Sequence, residues 1–116
     1  MLSLKYNVQI GPNMVGSGFR IRHIGYGSIV NCFSMGKNCS ISCGCIVGNK
    51  DSQDNRATIG DDVTITVGAK IIGKVNIGSN VIIAPNSVVV KDVPDNCVVS
   101  GVPAKIIKKD GLKYID

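Results

Sequence analysis

With 116 residues the chain has room for one domain, and two Phe, three Tyr and no Trp against fourteen Gly exclude a conventional aromatic-rich core. Its net charge of +5 is scattered and few rings are available for base stacking, which excludes a nucleic-acid surface and leaves a small polyanionic ligand, an acidic polymer or plain solvation. No apolar run approaches the length of a transmembrane helix.

In chain order, residues 1–9 carry no period. The opening MLSLKYNV lacks a charged segment followed by an apolar one, so no secretion signal is expected. The cysteines, Cys32, Cys39, Cys43, Cys45 and Cys97, are then expected as reduced thiols in a cytoplasmic protein. Ile10-Gly-Pro-Asn-Met and Val15-Gly-Ser-Gly-Phe-Arg are imperfect hexads, the first a residue short. Ile21 and Arg22 follow, and His23 opens a new register. Counting by sixes from His23 reaches Ile29, Met35, Ile41, Val47 and, beyond a polar interval, Ile59. Cys39 and Cys45 fall on the fifth place of their hexads, where a small buried residue is the plain reading. A metal cluster and a thiol nucleophile are the sharper alternatives, although one histidine with loosely spaced cysteines is a poor zinc set. The interval NKDSQDNRAT, 49–58, is polar and lacks Gly. It predicts a loop leaving the wall of the coil, and such loops are where binding residues gather.

From Ile59 to Pro94 the period is strict: IGDDVT, ITVGAK, IIGKVN, IGSNVI, IAPNSV, VVKDVP. An aliphatic residue opens each hexad, and Val63, Ala69, Val75, Val81, Ser87 and Val93 hold the fifth place. A helix would repeat at i, i+3, i+4 and i+7, and an exposed strand would alternate. A period of six fits a coil of short strands with a turn after each, every opening aliphatic pointing inward onto its equivalent in the next coil. Open ends and flat faces predict oligomerisation. After Pro94, Val98-Val99 is expected as a last inward pair and Gly101-Val102-Pro103 as a sharp turn. The charged tail frays or caps the open end. The expectation is thus one all-β domain over 1–116, with a loop excursion near 49–58 and a C-terminal tail over 105–116.

His23 is the only histidine, and histidine alone titrates near neutrality without a shifted pKa. A structural or exposed ring is the plainer reading of a lone imidazole. It stands at a register break beside Gly25 and Gly27, where backbone can approach a ligand. It also precedes the loop by little more than one coil, so the two are expected on one edge.

VGSGFRIRHIGYGSIVNCFSMGKNCSIS, the loop, and TIGDDVTITVGAKIIGKVNIGSNVIIAPNSVVVKDVPDNCVVSGVPAKII resemble the hexapeptide-repeat acyltransferases, most closely the serine O-acetyltransferase and polysaccharide O-acetyltransferase branch. The resemblance covers about residues 6–107. Repeats alone specify the fold, while GFRIRHIG at its distance from the loop and the closing SGVPAKII are more specific. The resemblance implies a single-stranded left-handed parallel β-helix, a hand that departs from the usual crossover rule, and a homotrimer with an active site at each boundary between subunits. It implies acetyl-CoA as co-substrate with no metal, and His23 as the general base that takes the proton from an acceptor hydroxyl attacking the thioester. Backbone N–H groups would hold the oxyanion. It also implies a pantetheine groove along Val67, Gly68, Ala69, Ala84 and Pro85, with Pro103 and Lys105 at the adenine and phosphate end. Corner duty alone is the plain alternative for Gly68 and Ala84, and Lys108 and Lys109 read as a solvated tail.

Some positions depart from the serine-specific pattern. Arg22 stands where that pattern has Asp, Arg56 matches a second histidine in the loop, and the acid that orients the base falls near Gln9, which can accept a hydrogen bond but cannot offset a charge. The helical N-terminal domain of the bacterial serine enzymes has no counterpart. These departures point to a hydroxyl of a sugar or polysaccharide precursor as acceptor, a glycan rather than free serine, with Gln9, Arg22 and Arg56 in orienting and acceptor-binding places. Serine O-acetylation in cysteine biosynthesis is the alternative, and a non-catalytic β-helix assembly protein the next. A zinc lyase of the γ-carbonic anhydrase kind would need more histidines than this chain has.

Overall fold

The computed structural model describes residues 15–20, 28–48 and 55–113, together with the backbone of Ile21 and of the short strands 2–3 and 9–10. Sixteen strands, numbered in chain order, form the faces of a three-sided prism. The first face holds β1 (Leu2–Ser3), β2 (Gln9–Ile10), β4 (Ile29–Val30), β7 (Ile46–Gly48), β10 (Lys70–Ile72) and β13 (Val88–Val89). The second holds β5 (Ser34–Met35), β8 (Thr58–Ile59) and β11 (Asn76–Ile77). The third holds β3 (Arg20–Ile21), β6 (Ser40–Ile41), β9 (Thr64–Ile65), β12 (Ile82–Ile83), β14 (Cys97–Gly101), β15 (Ala104–Lys109) and β16 (Leu112–Lys113). The coil is a left-handed parallel β-helix. No helix among the described residues is long and apolar enough to cross a membrane.

The register explains the period. Ile59 pairs with Ile77, Ile65 with Ile83 and Ile71 with Val89, each partner three hexads on. Those six side chains are buried, and the fifth-place residues Val63, Ala69, Val75, Val81 and Ser87 are buried between them. Each strand from β7 to β13 contributes two or three residues, so one side chain per strand enters the core and its neighbours lean away from it. Side chains satisfy the backbone where the chain turns: Asp61 Oδ1 accepts from Lys37 N at 2.8 Å and Asp95 Oδ1 from Ser79 N at 2.8 Å, while a side-chain bond from Asn80 Nδ2 to Asn96 Oδ1 at 2.9 Å links successive corners. On the second face a Cβ at Gly60 would stand 2.9 Å from the carbonyl carbon of Gly78, so glycine there lets successive coils stack flat.

The structure corrects the count at several corners. Val30, not Ile29, points inward: Val30 is 1% exposed and Ile29 40%. The hexad from Val30 to Met35 is a residue short, and the count from His23 did not register the loss. Cys32 fills the inward place there, leaving Phe33 66% exposed. Met35 pairs with Ile59, a hexad more than the coil from Ile59 to Ile77. The loop therefore adds one hexad's length, which is why counting by sixes survived it. Thr58 is already in β8, and Ala57 is buried with its carbonyl accepting from Phe33 N at 2.7 Å. Val93 bridges Ile77 and so opens a coil instead of filling a fifth place. Asp92 closes that shortened corner by accepting from Asn76 N at 2.8 Å. β14 adds to the third face parallel to β12, and beyond the turn β15 runs back antiparallel to β14 and β16 antiparallel to β15, through Lys113. Ala104 and Ile106 pack on the core, while Lys105, Ile107, Lys108 and Lys109 are exposed.

Candidate active site

The prism has three edges, and they carry different chemistry. The first edge joins the third face to the first. On it Gly68 N donates to Cys43 O at 3.0 Å and Asn86 N to Val67 O at 2.9 Å. Ser87 Oγ accepts from Gly101 N at 3.2 Å. These bonds stack Cys43–Gly44, Val67–Gly68, Ala84–Asn86 and Gly101 into one column that runs toward the C-terminal end. Val67 is exposed, as is Pro85, and Ala84 is half-buried. Ala69 is fully buried, so its methyl group belongs to the core and only its backbone is open to a ligand. Gly68 has φ +71°, and the carboxamide of Asn86 lies where a Cβ on Gly68 would go. That corner favours glycine whatever passes along the edge, although Asn86 takes the same left-handed backbone one coil on.

Beyond the column, Pro103, Ala104, Lys105 and Ile106 meet Val90, Lys91 and Asp92 around a cavity of about 230 Å³. Lys105 was singled out by its motif. Lys91 was not, because the period marks inward residues and is silent on which corners abut.

The residues placed at the catalytic centre divide. Arg22 and His23 lie outside the described residues, as does the side chain of Gln9. The strands on either side of 22–27 are described: Ile21 pairs with Ile41 on the third face, and Val30 with Val47 on the first. The connection from Ile21 to Val30 is therefore three residues longer than the one from Ile41 to Val47. The count from His23 treated this enlarged connection as regular. At its far end Ser28 is fully buried, its hydroxyl donating to Ser42 O at 2.7 Å and accepting from Cys45 N at 3.2 Å. β2, which includes Gln9, pairs with β4 alongside Ile29.

The second edge joins the first face to the second and carries Arg56. Its guanidinium lies 5.8 Å from the centroid of the Phe33 ring, a cation–π distance. Sequence reasoning missed Phe33, which sits on the coil before Arg56 at the shortened corner. The strands flanking 22–27 lie on the third and first faces, whereas those flanking the loop, β7 and β8, lie on the first and second; the expectation that His23 and the loop share one edge concerns residues outside those described.

Four thiols are core atoms. Burial pushes the Cys32 thiol up to about 11, and burial likewise raises Cys39, Cys45 and Cys97. A raised thiol is a poor nucleophile, and Cys45 Sγ donates instead to Thr66 O at 2.9 Å. No group of His, Cys, Asp and Glu among the described residues could hold a metal ion.

No family model matches the chain. It is 36% identical over 110 residues to a serine acetyltransferase of Synechococcus elongatus, covering 91% of this chain and 45% of that protein. The crystal structure of Neisseria gonorrhoeae serine acetyltransferase matches with TM-score 0.80 and 38% identity over 92% of this chain and 42% of the other, and that enzyme has also been solved with serine. The Brucella abortus serine acetyltransferase solved with coenzyme A matches with TM-score 0.74 and 35% identity over 89% of this chain and 42% of the other. The chain spans about half the length of the curated relatives it matches. These relatives overturn the sugar or polysaccharide acceptor: they are named for serine, and one binds it. The physical error was to read the departures at Arg22, Arg56 and Gln9 as a change of acceptor, when an amino acid's carboxylate suits a guanidinium as well as a sugar does.

Proposed function

The chain belongs to the hexapeptide-repeat acyltransferases, and on that premise we propose that it is an acetyl-CoA-dependent serine O-acetyltransferase working as a homotrimer. The observation that supports this most is the shared coil: over nine-tenths of the chain matches enzymes named for serine.

In this reading His23 takes the proton from the serine hydroxyl as that oxygen attacks the acetyl carbonyl. The tetrahedral oxyanion collapses, the C–S bond breaks, and the CoA sulfur recovers the proton from the imidazolium. Gln9 orients the imidazole by accepting its N–H. Arg22 and Arg56 serve the acceptor. The donor lies along the first edge, its pantetheine arm over Val67, Gly68, Ala84 and Pro85 and the backbone of Ala69. Its phosphates lie near Lys105 and Lys91 beside Pro103.

Two features of this chain support the trimer. Arg56 and the donor column lie on different edges of one prism, so a site that uses both needs two subunits. The outward side of the first face also carries Ile29 and Val90, exposed, and Ile46, Ile72 and Val88, half-buried, an apolar surface that association would cover. Unpaired thiols fit a reducing, cytoplasmic setting.

The test is thiol release from acetyl-CoA with serine as acceptor. The parent should turn over, and His23→Ala should lose about 10²-fold or more of kcat/KM. A parent inert toward serine, or a variant as fast as the parent, refutes the reading.

A further inference from the structure

Phe33 is an exposed aromatic ring for a local reason. The corner from Val30 to Met35 is a residue short, so Cys32 takes the inward place and the ring is turned to solvent at 66% exposure. Its backbone is tied to the loop: Phe33 N donates to Ala57 O at 2.7 Å, which fastens the returning chain one residue after Arg56. The Arg56 guanidinium then lies over the ring, 5.8 Å from its centroid. A cation–π contact draws on the charge of the guanidinium, whereas a carboxylate is bound through its N–H groups. The two uses are chemically distinct. A ring beside the guanidinium narrows the positions the side chain samples before the anion arrives, so less side-chain freedom is lost on binding.

We propose that Phe33 is a positioning residue that holds Arg56 for the carboxylate of the amino-acid acceptor, the acceptor belonging to the donor edge of a neighbouring subunit. The assignment rests on the serine reading above and adds to it the group that distinguishes serine from an uncharged alcohol. The ring acts only through Arg56 and touches neither the hydroxyl nor the thioester. Losing it should therefore change acceptor affinity and leave the chemical step alone.

The experiment compares serine with serinamide, which keeps the hydroxyl and amine but has no carboxylate, across the parent, Phe33→Leu, Phe33→Tyr and Arg56→Gln. Phe33→Leu should raise KM for serine about two- to five-fold, the worth of an exposed cation–π contact. Its kcat, its KM for acetyl-CoA and its serinamide kinetics should stay at the parent values. Phe33→Tyr, which keeps a ring, should restore the parent KM. Arg56→Gln should raise KM for serine about 10- to 100-fold and lower the preference for serine over serinamide by the same factor. If the parent turns over serine and Phe33→Leu leaves its KM unchanged, or if both acceptors weaken equally, the positioning role is wrong and the serine reading stands. A parent inert toward serine sinks both.

Discussion

The coils from Ile59 to Val89 and the coils before Ile59 use the same ladder but differ in discipline. In the later coils every hexad is complete, each inward residue stacks on the one three hexads away, and the outward residues repeat the same surroundings. Before Ile59 the chain has three extra residues between Ile21 and Val30, loses one between Val30 and Met35, and takes on a hexad's length between Val47 and Ile59. A strict coil presents flat faces and cannot reach toward anything. A slip in the count forces backbone or a side chain off the wall, and the residues assigned to acceptor and base lie at or beside those slips. The regular half supplies rigidity and the column proposed for the donor, and the irregular half supplies reach.

The difference can be tested most severely in the core. Ile65→Ala removes a fully buried side chain in the strict coils and should cost about 2–5 kcal/mol. Ile29→Ala, one place away from the inward position at a slip, should cost under about 0.5 kcal/mol in the monomer. Urea unfolding of the two variants, at concentrations low enough for the chain to stand as a monomer, measures both. Equal losses would mean that Ile29, and not Val30, supports the early coil.

That pair also shows how far the sequence could be read. The inward places from Ile59 onward were legible because only β-branched or small residues fit a corner repeated six times, while the outward places are mixed, from Asp61, Asp62 and Lys74 to Val67, Ile82 and Val90. Ile29 and Val30 are adjacent and equally suited to a strand, so counting could not see the missing residue that hands the inward place to Val30. Val93 was misplaced for the same reason. The stack of Arg56 on Phe33 was not legible at all, because it depends on the loop adding a hexad's length and so bringing the two corners into register. The cavity at the end of the first edge was partly legible: GVPAK marked Pro103 and Lys105, but nothing in the period brings Lys91 to them. The acceptor was misread because arginine is as suited to an amino acid's carboxylate as to a glycan's.

A smaller effect on stability, but a sharp one on function, follows from the division of edges. If each site takes His23 from one subunit and Arg56 from the next, trimers assembled from His23→Ala and Arg56→Ala chains will contain some boundaries with neither substitution. By random assortment around a closed ring about a quarter of sites are restored, from parents each slowed by about 10-fold or more. Serine-dependent thiol release after joint refolding should exceed the mean of the separate variants severalfold. A rate equal to that mean would place both residues in the same subunit's site and remove the strongest argument for a shared one.

The smallest effect concerns what fills the fifth place. The strict coils use Val63, Ala69, Val75 and Val81, whereas the early coils use Cys39 and Cys45, with Cys32 at the short corner. Burial raises all three thiols, Cys32 to about 11 from 9.0. The unfolded chain therefore ionises first as pH rises, and the stabilisation, fully present below pH 9, is lost progressively above it toward the folded values. At pH 9 the loss for Cys32 is about 0.4 kcal/mol relative to pH 7, and the valines and alanine of the later coils contribute none. Amide hydrogen exchange, corrected for the intrinsic pH dependence of the rate, should show protection falling first at Val30, Ile41 and Val47 while Ile65, Ile71 and Ile83 hold. Cys32→Ala and Cys45→Ala together should reduce that difference. Protection that falls evenly along the ladder would mean the coils open as one unit, with the irregular half no weaker than the regular one.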